Sequence, residues 1–537
     1  MNRSITLNAP DLAPARPRGG SAISLGISMA ELCGGAPVPT EATDDAEGAL
    51  AGALPEERVP LDLTDPRLTA LARGLSPAWL HIGGTSSLTT YYDHDDRTRG
   101  VPPRGYGAVL TRGRWEAALG FAREVGARVA LAMPTVPGLG NAACRALGGT
   151  GAWDPAQVRR LLNASTHMGV PVGAVELAAA PEALVAAHPE YGAAHLAQDA
   201  DALFRMMRME FPDVLLVGPG TRADEAGLAL AGRIAHAMDV PPEAISYRVL
   251  PIARPVERRW PSDTSGDDAG DMQNFEGERD VEDASEEGCG SGGDGQSGAG
   301  PTPTDDVDPD TTARLPLIES LEARVPGLTE SALEGAARAQ RAVRALRDAW
   351  RPGAPLWAIG ELESGRSEGP DAAFDDALVL ACGLGAPSRD GVAFFPLTDG
   401  PASLLDPETL RPRPTWWLLW LWRELAGDAA FPAHAATVEP MPPAGVHACV
   451  STRGDGHPGF CHLVVNASGT DALSTALPGP ALRFTLTGRG EATLLNGEPL
   501  ELAGGQPPTV APLGAREPTG TIELPPASVT FLLMGRS

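Results

Sequence analysis

The chain has 537 residues, enough for one large domain with a smaller one, and a formal net charge of −27 at pH 7. That charge argues against nucleic acid and anionic membrane surfaces as partners. All 42 basic side chains are arginine, which excludes Schiff-base, pyridoxal-phosphate and P-loop lysine chemistry.

The N-terminus, MNRSITLNAPDLAPARPRGG, lacks the apolar core of a signal peptide. Residues 1–20 are read as an N-terminal segment that could add a strand to a C-terminal β-domain. Short apolar runs then alternate with longer amphipathic ones. The runs are 22–28 (AISLGIS), 78–84 (AWLHIGG), 128–134 (RVALAMP), 172–178 (VGAVELA), 214–220 (VLLVGPG), 244–250 (AISYRVL), 355–361 (PLWAIGE) and 391–397 (GVAFFPL). Helical patterns with i, i+3, i+4 spacing fall at 112–126, 154–169, 195–211, 221–238, 329–350 and 414–427. Eight strands alternating with helices over 21–430 predict an α/β fold, a (β/α)8 TIM barrel whose site gathers at the C-terminal strand ends. WWLLWLW (Trp416 to Trp422) is too short to span a bilayer, which needs about 20 residues, and its Trp stripe is expected to pack on the barrel.

Two regions break the alternation. Residues 261–313 are rich in Gly, Ser and acids; from Pro261 to Asp310 sixteen acids stand against one arginine. Such a segment buries too little to offset its ordering entropy, so it is expected to be a disordered acidic insertion. Beyond it, 431–537 carries short strands separated by turn residues and is read as an all-β sandwich.

The six cysteines (Cys33, Cys144, Cys289, Cys382, Cys449, Cys461) are scattered with no CxxC pair, so neither a disulfide framework nor a zinc site is expected, and no cofactor is implied. Cys449 and Cys461 could face each other on a hairpin; two free thiols are the expectation. Asn163 and Asn466 lie in N-x-S/T triplets that matter only in a secreted chain. Glu361 closes the seventh strand, and AVELAAAPE (174–182) closes the fourth with three alanines. A retaining glycosidase needs two carboxyls about 5–5.5 Å apart, which strands four and seven of one barrel can supply.

LTDPRLTALARGLSPAWLHIGGTSSLTTYYD (63–93) closely resembles the ARGLSPAYLRFGGT stretch of the heparanase-like glycosidases, glycoside hydrolase family 79. The similarity continues through WDPAQVRRLLNASTHMGVPVGAVELAAAPE, PLWAIGELES, the 394–427 unit and the C-terminal strands. The resemblance implies a clan-A barrel with a β-sandwich and a retaining endo-β-glucuronidase activity. It puts Glu361 on the nucleophile and, through the family's ELGNEPN, places Ala179 and Ala180 on the Asn-Glu pair, so the general acid/base position is Ala180. Glu176 matches the first, non-catalytic acid, expected roughly 13 Å below position 180 at about 3.3 Å per extended residue. Glu182 and Glu363 are the candidates for a relocated acid; Glu182 is expected to face solvent, and Glu363 projects from the nucleophile's own loop. The candidate substrate-contacting residues are Gly84, Thr85, Ala179, Arg248 and Arg366, the last through a uronate carboxylate.

Other positions depart from the family. Ser28 stands at the sugar-binding Asp, His81 at the RFGG arginine, 246–250 (SYRVL) at WHHYY, and 366–369 (RSEG) at YGGG. Gly391 and Val392 replace the RQVFF arginine and glutamine, and the propeptide between Asp96 and Gly113 is mostly absent. The expectation is a degenerate glycan-binding pseudoenzyme; the alternative is an active glycosidase with a relocated acid. A glycan or glycosaminoglycan-like ligand is the expected partner, although the acidic insertion argues against a polysulfated one. The one local basic run, RPVERRW (254–260), could meet an anion or pair with the insertion. No signal peptide or membrane span is read, so a soluble chain is expected; family members are usually secreted or lysosomal. Compartment and oligomeric state are not legible.

Overall fold

The computed structural model describes residues 4–8, 23–34, 59–249, 332–360, 372–385, 391–400, 403–430, 438–439, 446–489 and 492–535. The acidic insertion, the RPVERRW run, Glu361, Glu363 and Arg366 lie outside the described residues, as do Cys289 and the side chain of Cys382.

Eight parallel strands close into a barrel in chain order: Ile23–Ser28, Trp79–Gly83, Arg128–Met133, Val172–Leu177, Leu215–Arg222, Ala244–Val249, Leu356–Gly360 and Gly391–Pro396. These are the eight expected runs, referred to below as barrel strands one to eight. Their near-continuous hydrophobicity is what a sheet buried on both faces requires. Three of the helices between them start on side-chain caps. Thr111 caps Arg112–Val125, Asp154 caps Pro155–His167 and Asp224 caps Glu225–Ala237. Helix Ala372–Gly385, between strands seven and eight, was not legible in the sequence because it is apolar on most sides. Its Phe374, Ala377, Leu378 and Ala381 are buried, and Phe374 packs where a Cβ on Gly488 of the β-domain would sit.

The C-terminal part forms two sheets. One is largely antiparallel and runs through Ala426–Ala430, Val446–Arg453, Gly459–Asn466, Ser528–Gly535 and Ala481–Arg489. The other contains Leu473–Leu477 between Gly520–Leu524 and the N-terminal strand Ser4–Leu7, which pairs in parallel with Leu473–Leu477. Ile5, Leu7, Val464, Leu473, Leu524 and Leu532 fill a core cluster of this domain.

Helix Pro414–Leu425 joins the two parts. All four tryptophans are buried, and the reason exceeds the expected one-sided packing. Trp416 Nε1 donates to the Leu71 carbonyl of barrel helix Pro66–Gly74 at 3.3 Å, whereas Trp422 lies 6.4 Å from Phe531 of the larger sheet. Its apolar side chains thus pack on both parts, and only the last turn, at Arg423 and Glu424, reaches the surface. Cys33, Cys144, Cys449 and Cys461 are free and buried. Ladder register sets Cys449 against Leu463 and Cys461 against Ser451, so the two thiols are diagonal rather than directly opposite. Asn466 is buried, its amide donating to the Asp471 and Pro525 carbonyls, which removes it as a glycan acceptor in the folded chain. Among the described residues no helix is long and apolar enough to cross a membrane.

Candidate active site

Period-two alternation decides which residues reach the barrel axis. The lower inward layer is apolar: Trp79, Ala174, Val217, Ala244, Trp357 and Phe394 share one cluster, with Trp357 centred 5.0 Å from Trp79 and 4.9 Å from Phe394. Their chain neighbours Leu80, Val175 and Leu216 belong instead to the outer core beneath the helices. Two residues further along three of these strands, the inward positions turn polar. His81 follows Trp79, Glu176 follows Ala174 and Ser246 follows Ala244.

Glu176 joins them. Its Oε1 accepts a hydrogen bond from Ser246 Oγ, and His81 Nε2 lies 3.2 Å from its Oε2. All three side chains are buried. A carboxylate only accepts, so Nε2 is the donor in this contact, and in the neutral imidazole Nδ1 then carries the lone pair. Nδ1 is buried and has no hydrogen-bond partner. The ring leans toward the C-terminal strand ends, for a Cβ added at Gly83 would lie 2.5 Å from its Cε1 and 3.2 Å from each nitrogen. Glycine at 83 therefore leaves the space that the imidazole edge fills.

Strand four ends at Leu177, and Ala178 takes the left-handed conformation at φ 55°. Ala180 is the N-cap of helix Pro181–Ala187 without a side-chain cap bond, and Ala178, Ala179 and Ala180 are all buried. With Ala178 left-handed, the chain from Glu176 to position 180 is not the extended run that the roughly 13 Å expectation took it for. A Cβ on Gly220, itself at φ 69°, would meet Glu176 Oε1 at 2.7 Å and the Ala179 carbonyl at 3.2 Å. Carboxylate and loop thus flank the same point of strand five.

Glu182 does not face solvent. Its Oε1 accepts from the Arg222 backbone N–H at 2.5 Å, and its Oε2 accepts from Arg248 Nη2 at 2.5 Å. Arg248, the next inward residue after Ser246, also donates Nε to the Gly220 carbonyl at 3.1 Å. The first turn of helix Pro181–Ala187 meets strand five, and an inward cation there draws the carboxylate in. Gly84, at φ 87°, opens the short 3-10 turn Thr85–Thr89 above strand two, and Thr85 is buried.

Strands one and eight add a cluster that sequence reasoning missed. Ser28 caps helix Met29–Cys33 in a reciprocal box with Glu31 and donates Oγ to Asp399 Oδ2 at 3.0 Å; Thr398 Oγ1 bonds Glu31 Oε1. Burial first, and Asp399 second, push the Glu31 carboxyl up to about 8. The S-x-x-E spacing of Ser28 and Glu31 was the available signal for the box; nothing local pointed to Thr398 and Asp399. Among the described residues no group of three or more potential ligands could hold a metal ion.

No family model matches the chain, and no curated protein matches it. Solved structures do. A GH51 arabinofuranosidase from Xanthomonas axonopodis pv. citri is 12% identical, with 99% of this chain and 100% of that one covered and a TM-score of 0.52. AbfB, a family 51 α-L-arabinofuranosidase from Bifidobacterium longum, is 12% identical over 99% of each chain with a TM-score of 0.53. A Paenibacillus polymyxa xyloglucanase of family 44 is 11% identical, with 99% of this chain and 100% of that one covered and a TM-score of 0.52. At such identity the likeness is one of fold, a barrel that glycoside hydrolases use.

Proposed function

We propose that this chain is a heparanase-like, family 79 type glycoside hydrolase homologue that binds glycan at its barrel mouth and cleaves it very weakly or not at all. The resemblance puts the nucleophile at Glu361 and the acid/base at Ala180. The observation that carries the reading is Ala180 itself, a buried methyl at the N-cap where proton transfer would need a carboxyl. Without an acid, a sugar hydroxyl must leave unprotonated, and general acid catalysis is worth about 10²–10⁴-fold. The alternative is an active glycosidase with a relocated acid. Glu182 is a poor one, because a backbone N–H and the Arg248 guanidinium occupy its two oxygens. Glu363 is two residues from the nucleophile position, a poor origin for an acid that must stand across the bond.

The test is turnover of dinitrophenyl β-glucuronide and β-glucoside, with and without azide. An activated leaving group bypasses the missing acid, and azide bypasses the missing base. Turnover that depends on azide, or none, is expected, with no cleavage of unactivated glycosides. Ordinary hydrolysis of an unactivated glycoside without azide would overturn the pseudoenzyme reading in favour of a relocated acid.

A further inference from the structure

The polar floor of the barrel carries information about the ligand. His81 sits 1% exposed, with Nε2 engaged by Glu176 and Nδ1 unpartnered, its ring edge filling the inward space of Gly83, one layer nearer the mouth. Buried polar atoms are almost always paired, so such an acceptor on the path toward the strand ends marks a place where a donor belongs. Glu176 fixes which donor. In the neutral imidazole with Nε2 donating to the carboxylate, Nδ1 takes an O–H and does not give one.

The surrounding charge narrows the class. Among the described residues at the strand ends, Arg248 is bonded to Glu182 at 2.5 Å, and the Arg222 charge lies 3.0 Å from Asp224, although its Nε makes no hydrogen bond. Glu176 on strand four and Asp399, just past the end of strand eight, belong to opposite sides of the same barrel. An anionic ligand would enter among carboxylates while the charge of each of these two arginines is already balanced by one, and like charges at short range are strongly unfavourable in a water-poor site.

We propose that His81 Nδ1 is a ligand-binding acceptor at the floor of the barrel mouth, taking a hydroxyl of an uncharged sugar, and that this mouth prefers neutral glycosides to uronates or sulfated sugars. The inference rests on the glycan-binding reading above and names the ligand class of that site. Ser246 is a positioning residue: by donating to Glu176 Oε1 it orients the carboxylate that orients the imidazole.

The experiment compares methyl β-D-glucopyranoside with methyl β-D-glucuronide, two probes that differ in a carboxylate, on the full chain labelled with 15N-histidine. The glucoside should bind at least tenfold more tightly and shift the unprotonated nitrogen resonance of His81. His81→Phe should weaken glucoside binding at least tenfold. His81→Gln, whose amide can both donate to Glu176 and accept from the sugar, should stay within a few-fold of the parent. Equal or tighter binding of the glucuronide overturns the inference and leaves the glycan-binding reading standing. So does glucoside binding that leaves the His81 nitrogens unmoved, a measurement on the parent chain that stands even if His81→Phe does not fold. Binding of neither sugar overturns both.

Discussion

Glu182 and Arg248 are joined by a 2.5 Å contact from Oε2 to Nη2, which ties the helix after strand four to the inward face of strand six. Their side chains are 14% and 10% exposed, so little water screens the pair. One ion pair thus both braces two barrel strands and removes a carboxylate from the chemistry of the mouth.

Arg248→Ala should leave Glu182 charged and under-paired. Breaking a buried pair from one side costs about 3–5 kcal/mol, and residual exposure places this one toward the lower end. Glu182→Gln should cost less, because its amide oxygen can still accept from the Arg222 N–H. Urea denaturation measures both. An unchanged midpoint for Arg248→Ala would show that the pair braces nothing.

Placing an acid at position 180 is a direct trial of the proposed acid/base position. Ala179→Asn with Ala180→Glu places larger polar groups where both side chains are now buried, so a loss of about 1–3 kcal/mol from overpacking is expected. The double variant should hydrolyse dinitrophenyl glycosides without azide faster than the parent does. If the rate does not rise, the other replacements around the mouth, His81 and Ser246 among them, limit the chemistry as much as Ala180.

Gly83→Ala should expel the imidazole. The new Cβ would stand 2.5 Å from His81 Cε1, closer than such contacts allow, so the ring must swing and the Nε2 contact to Glu176 must lengthen. The variant should lose glucoside affinity as His81→Phe does, with a stability loss of about 1–3 kcal/mol. Binding as tight as the parent's would mean that His81 does not reach the ligand.

His462 predicts an acid-sensitive β-domain. It lies between Val450 and Leu532 in the larger sheet, fully buried, with neither ring nitrogen partnered. Desolvation pushes its pKa down from 6.5 to about 4. The unfolded chain therefore takes up a proton near pH 6.5 that the folded chain refuses until about pH 4. Its stabilising contribution is complete above pH 6.5 and is lost as pH falls through that window, by about 3 kcal/mol. His462→Leu should flatten this part of the profile; an unchanged slope between pH 6.5 and 4 would place the titration elsewhere.

The barrel was legible because its signal is local and repeated. Eight apolar runs, each bounded by an amphipathic stretch, can close only as strands covered on both faces, and helices such as Pro155–His167 carry their Asp and Pro start signals in sequence. The alanine at 180, where the family resemblance puts an acid, was equally local, a matter of which residue follows Glu176 by four. Helix Ala372–Gly385 and strand Leu473–Leu477 were not legible, the first because enclosure erases the polar face that periodicity needs, the second because it is short and gains meaning only beside its partners.

The site divides the same way. Sequence alone placed His81, Glu176 and Arg248 within barrel strands and Glu182 just past one, since the apolar runs mark the strands; it read Glu176 as deep and Glu182 as facing solvent. It could not determine what each would touch. Ala178 turning left-handed set the Ala179 carbonyl beside the Gly220 that Glu176 also flanks, barrel closure carried Ser246 and His81 to one carboxylate, and Arg248 claimed Glu182 across 66 residues of chain. Hydrogen bonds and ion pairs act over about 3 Å, a distance that only the closed tertiary fold sets between residues so far apart in sequence.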